Sequence, residues 1–271
     1  MSILLAAIPA AIYLGVPLLI KFGEGMNAEP TLTFIDPAQW PPNIAQTMSR
    51  VEHDLYAVGF SIVARFRLSN AVPNTDTLLT MLVNYKSGDK AMITAIWSNA
   101  NGVWTLGTLY TEFSTRFEDG YCFDTMNSKA LSSFKRGPMD IKTQVPQLTE
   151  APELWALHRF VIRKHNPSGR KVVYDMKDAE TYMRRIWRES FREQVQFGRF
   201  SDKGSRFQPT WKGAYLMTWG LMWPMKWIRE SQMNSRANAI VAEWRGQPVS
   251  AIEGAFDENS VWIKAETPVA T

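Results

Sequence analysis

The first twenty residues, Met1 to Ile20, carry no charged side chain, and Lys21 ends the run. A helix rises 1.5 Å per residue, so about 20 residues reach roughly 30 Å, the hydrocarbon thickness of a bilayer. So long an apolar run is hard to bury in a domain of this size, and it predicts a transmembrane anchor over residues 1–21. A cleaved signal peptide is the competing reading. Against it, no Lys or Arg precedes the apolar core and no A-x-A pair follows it. The core also exceeds the roughly 7–15 residues of a signal h-region.

Beyond the run, the composition is that of a folded protein, 45% hydrophobic and 21% charged, with a single cysteine, Cys122, and therefore no internal disulfide. The net charge of +4 is unevenly spread: residues 151–200 hold eleven Lys/Arg against six Asp/Glu. Beside an anchor, such a basic segment suits lipid headgroups. The positive-inside rule then places the body in the cytoplasm.

Residues 22–42 read as a tether, broken by Gly23, Gly25, Pro30, Pro37 and Pro41-Pro42. Residues 43–150 read as an α+β meander domain. Ile44, Met48, Val51, Leu55 and Val58 recur at helical spacing, and Gly59 stops the helix. Phe60, Ile62, Ala64, Phe66 and Leu68 then alternate, which predicts a strand facing a common core with Leu55 and Val58. Strands over 78–85, 91–97, 103–115 (with a bulge near Gly107) and 121–125 complete an antiparallel β-meander, with turns at Ser87-Gly88-Asp89 and Glu118-Asp119-Gly120. Residues 151–271 read as a helical C-terminal half: helices over 153–164, 175–200 and 211–244, and one last strand over 260–265. The fold class is thus α+β: an N-terminal transmembrane helix, a meander covered by a helix, then helices.

Within the third helical pattern Trp211, Tyr215, Trp219, Trp223 and Trp227 fall at four-residue steps and share a slowly winding face. Lys212, Lys226 and Arg229 bracket thirteen uncharged residues. Trp and Tyr favour the headgroup level, so these eight residues are the candidate contacts with a membrane or a partner. An interfacial helix, packing within the domain and a second span are the three readings of the stripe.

Other chemistry is sparse. His158 and His165 stand seven apart without a third ligand, so no metal is expected. Glu112, Glu118, Asp119 and Asp124 cluster across a hairpin, where Asp119-Gly120 is first of all a turn. Cys122 lacks a His or Cys partner. Arg184, Arg185 and Arg188 each have a glutamate nearby, which favours an ion-paired face over nucleic-acid binding. No phosphate loop, dinucleotide fingerprint, nucleophile elbow or zinc motif is present, and no cofactor or catalytic residue is assigned. The preferred expectation is a membrane-anchored, non-catalytic accessory or scaffold protein that binds the bilayer surface or an integral membrane complex. The alternative is a hydrolase acting on a lipid or lipid-linked substrate through the Glu112/Asp119/Asp124 region.

Overall fold

The computed structural model describes residues 13–23, 25–69, 71–72, 74–101, 103–165, 167–174, 176–247 and 262–265. Helix α1 covers residues 13–22, strands β1 and β2 are Met26–Asn27 and Thr31–Phe34, and α2 is Pro42–Ala57. Strands β3 (Ser61–Ser69), β4 (Thr75–Val83), β5 (Lys90–Ala100), β6 (Val103–Phe117) and β7 (Cys122–Met126) follow, then β8 (Asp140–Gln144). Helix α3 is Ala151–His165, β9 is Lys171–Tyr174 and α4 is Ala179–Gln196. The chain continues through β10 (Phe200–Asp202), β11 (Arg206–Pro209), α5 (Trp211–Trp219), α6 (Met225–Arg245) and β12 (Trp262–Ala265).

The expected transmembrane anchor over residues 1–21 is corrected, because no helix among the described residues is long and apolar enough to cross a membrane. Residues 1–12 of that run lie outside the described residues. The remainder, α1, is tied to the body. Lys21 Nζ donates to the Pro209 carbonyl at 3.0 Å, and Gln208 Nε2 donates to the Lys21 and Gly23 carbonyls at 2.8 and 2.9 Å. The single-pass placement and the cytoplasmic body that rested on the anchor go with it.

What stands is an α+β fold built on a nine-stranded sheet. Its centre is the β3–β4–β5–β6–β7 meander, antiparallel throughout. Opposite Ile96 and Trp97 the register steps from Thr108 to Leu106, so Gly107 is the extra residue of a bulge. β8 adds to β7 in parallel, from a stretch whose sequence shows no strand periodicity. The residues read as a tether supply β1, which pairs β11, and β2, which pairs β3.

Both faces of the sheet are covered. On one, α2, α3 and α6 bury Leu78, Leu82, Ile93, Phe113 and Phe123. On the other, Tyr182 and Met183 of α4 cover Phe66, Leu79, Met81 and Val83. The expectation that Phe60 through Leu68 share one core with Leu55 is corrected by a bulge between Ile62 and Ala64. One extra residue reverses the alternation. Phe60 stays on the α2 side, whereas Ala64, Phe66 and Leu68 pass to the α4 side. Arg65 is thereby turned onto α2, where its Nε and Nη2 grip Glu52 at 2.9 and 2.7 Å.

A buried polar centre joins the first core to the sheet. Asp89, fully buried just before β5, accepts from Trp155 Nε1 (2.9 Å), Arg159 Nη1 (3.0 Å) and Ser87 Oγ (2.9 Å) through Oδ2. Its Oδ1 accepts from Thr115 Oγ1 (2.8 Å) and Lys171 Nζ (3.3 Å). Burial by itself raises a carboxyl pKa, but the Lys171 and Arg159 charges, with His158 and the Trp155 N–H, hold Asp89 well below the usual range. His158, also fully buried, lies between Thr115 Oγ1 (2.9 Å) and Thr125 Oγ1 (3.0 Å). Burial drives its pKa down to about 4 against the pull of Asp89.

Removing Asp89 strands two buried cations, so Asp89→Ala is expected to lower unfolding free energy by about 3–5 kcal/mol in urea titrations. His158 takes up its proton in the unfolded chain near pH 6.5 but in the folded one only near 4, so its contribution is present above 6.5 and is lost as pH falls toward 4. Between pH 6.5 and 4.5 the wild type should lose about 2–3 kcal/mol more than His158→Gln, by the same titrations.

Candidate functional site

Alternate residues of β6 point to opposite faces, so Phe113, Thr115 and Phe117 enter the first core while Glu112, Ser114 and Arg116 face α4. Their neighbours on that face are Lys90 and Met92 of β5, Cys122 and Asp124 of β7, and Asp140 of β8. α4 does not press flat on this part of the sheet. Between them lies a cleft of about 550 Å³ whose opposite wall is Tyr182, Met183, Ile186, Glu189 and Glu193. Its lining mixes charged side chains with apolar ones such as Met92, Met183 and Ile186, and its volume is that of a small-molecule site.

The charges in the cleft are largely paired. Arg136, from the segment between β7 and β8, donates through Nη1 to Asp124 Oδ2 at 2.8 Å. Arg116 lies 3.6 Å from Glu189, and Lys90 Nζ stands 5.2 Å from the centre of the Tyr182 ring. Gly137 N donates to Asp140 Oδ2 at 3.0 Å, and a Cβ on Gly137 would come within 3.0 Å of Glu193 Oε1. Burial, and then the Asp140 charge and hydrogen bond, raise the Glu193 pKa. The Glu112 carboxyl makes no hydrogen bond to a described residue. Its burial, reinforced by the Asp124 charge, pushes its pKa up to about 7, while Lys142 and Arg136 pull the other way. A carboxyl poised there can donate or accept a proton at neutral pH. Burial and Asp124 push the Cys122 thiol up to about 12, so it is inert.

Of the carboxylates singled out in sequence, the fold brings only Glu112 and Asp124 into the cleft. Asp119 accepts from Gly169 N at 2.9 Å and Ser168 Oγ at 3.2 Å, and Glu118 pairs with Arg170, so both fasten the β6–β7 turn to the segment before β9. His165 contacts the Val161 carbonyl at 2.9 Å within its own helix, and no group of three or more metal-ligating side chains occurs among the described residues. Arg184 and Arg185 pair with Glu180 and Glu189, and Arg188 with Glu29.

The aromatic stripe sits at one end of the molecule. The helix expected over 211–244 is two helices, broken at Gly220, so neither α5 nor the stripe forms a second span. Gly213 lets α5 close on β10, since a Cβ there would collide with the Arg199 carbonyl. Trp211, Tyr215 and Trp219 lie along α5, with ring centroids 6.4 and 4.8 Å apart. They meet α1, where Phe22 packs edge-on to Trp211 at 5.5 Å and Trp219 Nε1 donates to the Tyr13 carbonyl at 3.0 Å. Trp223 and Trp227 lie beyond the break, 76% and 65% exposed. Lys212 donates to the Phe197 carbonyl at 3.1 Å, and exposed Lys226 stands 3.8 Å from Glu230. Arg229 is turned inward, donating to the Gly220 and Ser132 carbonyls at 2.7 and 2.6 Å. Leu14, Leu18 and Leu19 of α1, Leu216 of α5, Leu221 between the helices and Met225 at the start of α6 are exposed at the same end.

Arg136 and Asp140 escape sequence reasoning, because both lie where periodicity fades and only Gly137-Pro138 signals a turn. Comparison with protein-family models, with curated proteins and with solved structures finds no match.

Since burial is the first cause of the raised Glu112 pKa and Asp124 the second, carbon-13 NMR should find Glu112 titrating near pH 7 in the wild type and clearly lower in Asp124→Asn.

Proposed function

We propose that this protein is an accessory binding protein that docks peripherally on a lipid surface through its aromatic end, with no part of the described chain crossing the bilayer. The observation that carries the reading is the exposed apolar surface assembled from α1, α5 and the first turn of α6. Most of the large hydrophobic side chains left exposed among the described residues gather there. A surface of that kind marks an interaction site rather than a solvated face. Its composition favours lipid over a water-filled interface. Trp223 and Trp227 combine an apolar ring with an N–H donor, the pairing that settles at headgroup level. Leu14, Leu18, Leu19 and Leu221 supply the purely aliphatic part. Lys212 and Lys226 stand beside the rings, within reach of phosphates, whereas Arg229 holds the α5–α6 turn together.

The hydrolase alternative draws support from one observation, the convergence of Glu112 and Asp124 in the cleft. It loses Asp119, which serves the β6–β7 turn.

Trp223 and Trp227 carry little of the fold, so Trp223→Ala/Trp227→Ala should melt within a few degrees of the wild type. Each indole withdrawn from water contributes on the order of 2 kcal/mol. The double variant should therefore partition at least tenfold more weakly onto phosphatidylcholine/phosphatidylglycerol vesicles in flotation assays. Equal partitioning of the two proteins would remove the aromatic end from the account.

A further inference from the structure

We propose that the cleft beneath α4 binds a carboxylate-headed amphiphile, with its anionic head on the Nε–Nη2 edge of Arg136 and against the Glu112 carboxyl, and its aliphatic body along Met92, Met183 and Ile186. This site is distinct from the aromatic end and does not rest on the lipid-docking reading.

Three observations carry it. The first is an unmet donor. Arg136 spends Nη1 on Asp124, and its Nε is buried with no hydrogen-bond partner among the described residues. The Nε–Nη2 edge is the fork that receives a carboxylate side-on, as Arg65 receives Glu52 in this same protein. A buried donor left without a partner calls for a ligand or an ordered molecule to meet it.

The second is an unmet acceptor beside it. Asp124 is held by Arg136, Glu189 by Arg116, and Glu193 by Asp140, whereas the Glu112 carboxyl has no hydrogen bond among the described residues. When protonated, Glu112 has an O–H to give, and a ligand carboxylate is the acceptor that uses it. The third is shape. The cleft holds about 550 Å³, and its α4 wall presents Met183 and Ile186 opposite Met92, a lining suited to methylene groups.

An arriving anion favours the protonated form of Glu112, so binding takes up a proton. Asp124 on β7 and the Asp140–Glu193 pair from β8 and α4 act in the same direction. Lys142 on β8, Arg136, Lys90 on β5, Arg116 on β6 and Arg192 on α4 oppose it. Glu189 is neutralised by Arg116 and Arg185, and Cys122 and Tyr110, both pushed up to about 12, stay neutral.

The test is calorimetric titration of the full chain with sodium decanoate below its micelle concentration, in phosphate and in Tris. Glu112, its pKa raised into the neutral range, is partly protonated at pH 7, so binding should take up a net fraction of a proton there. Affinity should fall about tenfold from pH 6 to pH 8 as Glu112 ionises, decanoate itself remaining charged throughout. Glu112→Gln, which keeps a donor, should bind without that pH dependence. Arg136→Lys, which loses the fork, should bind about tenfold more weakly. Proton release, pH-independent binding by the wild type, or equal binding of decanol or decylammonium would overturn the proposal. So would an unchanged Arg136→Lys, the result expected if decanoate merely coats the aromatic end. The proton count on the wild type decides the matter should a variant fail to fold.

Discussion

Asp89 brings five donors from the β4–β5 turn, β6, α3 and β9 to one carboxylate that no water reaches. A buried charge is tolerable only when it is paired and fully hydrogen-bonded, so each donor must arrive in register. Trp155 and Arg159, four residues apart, set the rotation of α3 against the sheet. Thr115 sets the phase of β6, and Lys171 draws β9 onto the end of the meander. Once Thr115 faces inward, Ser114 and Arg116 must face outward, and Glu112 lies on that same outward side. The polar centre of the first core therefore decides what the cleft on the opposite face can contain.

Asp89, just before β5, and Glu112 of β6 show how partners decide whether the effect of burial on a carboxyl is reversed or reinforced. Asp89 meets two cations and three neutral donors, and its charge is fixed. Glu112 is raised first by burial, Asp124 adds to that rise against Lys142 and Arg136, and its pKa lies near neutral pH. The first arrangement stabilises a fold at the expense of any reactivity. The second leaves a proton free to follow a ligand, which is why the cleft and not the polar centre has the character of a site.

Much of the architecture was legible in the residues. The meander strands, their Gly, Asn and Asp turns, the bulge at Gly107 and the stripe of α2 follow from periods of 2 and 3.6. What failed did so for identifiable physical reasons. The bulge between Ile62 and Ala64 reverses a strand without altering its hydrophobic pattern, so Phe66 was assigned to the wrong core. The apolar N-terminal run satisfied the length criterion for a span, yet its described part is a short helix docked on β11 and α5. The segment from Gly220 to Pro224 interrupts a pattern that reads as one helix, because Pro224 has no N–H to continue α5. β8 was hidden because a parallel edge strand with Asp140 and Lys142 has no apolar alternation. The Asp89 centre was invisible because its members are scattered from residue 87 to residue 171, and Ser87-Gly88-Asp89 reads first as a turn. Glu112 and Asp124 were visible as candidates; Arg136, which orders them, was not.

The aromatic end and the cleft occupy different parts of the molecule, which allows the docking reading to be isolated. Hydrogen–deuterium exchange of the full chain, with and without anionic vesicles, tests it most directly. Docking through the aromatic end should slow exchange only in α1, α5 and the first turns of α6, with α4 and the meander unchanged. Protection centred on α4, or none at the aromatic end under conditions where the protein floats with vesicles, would contradict it.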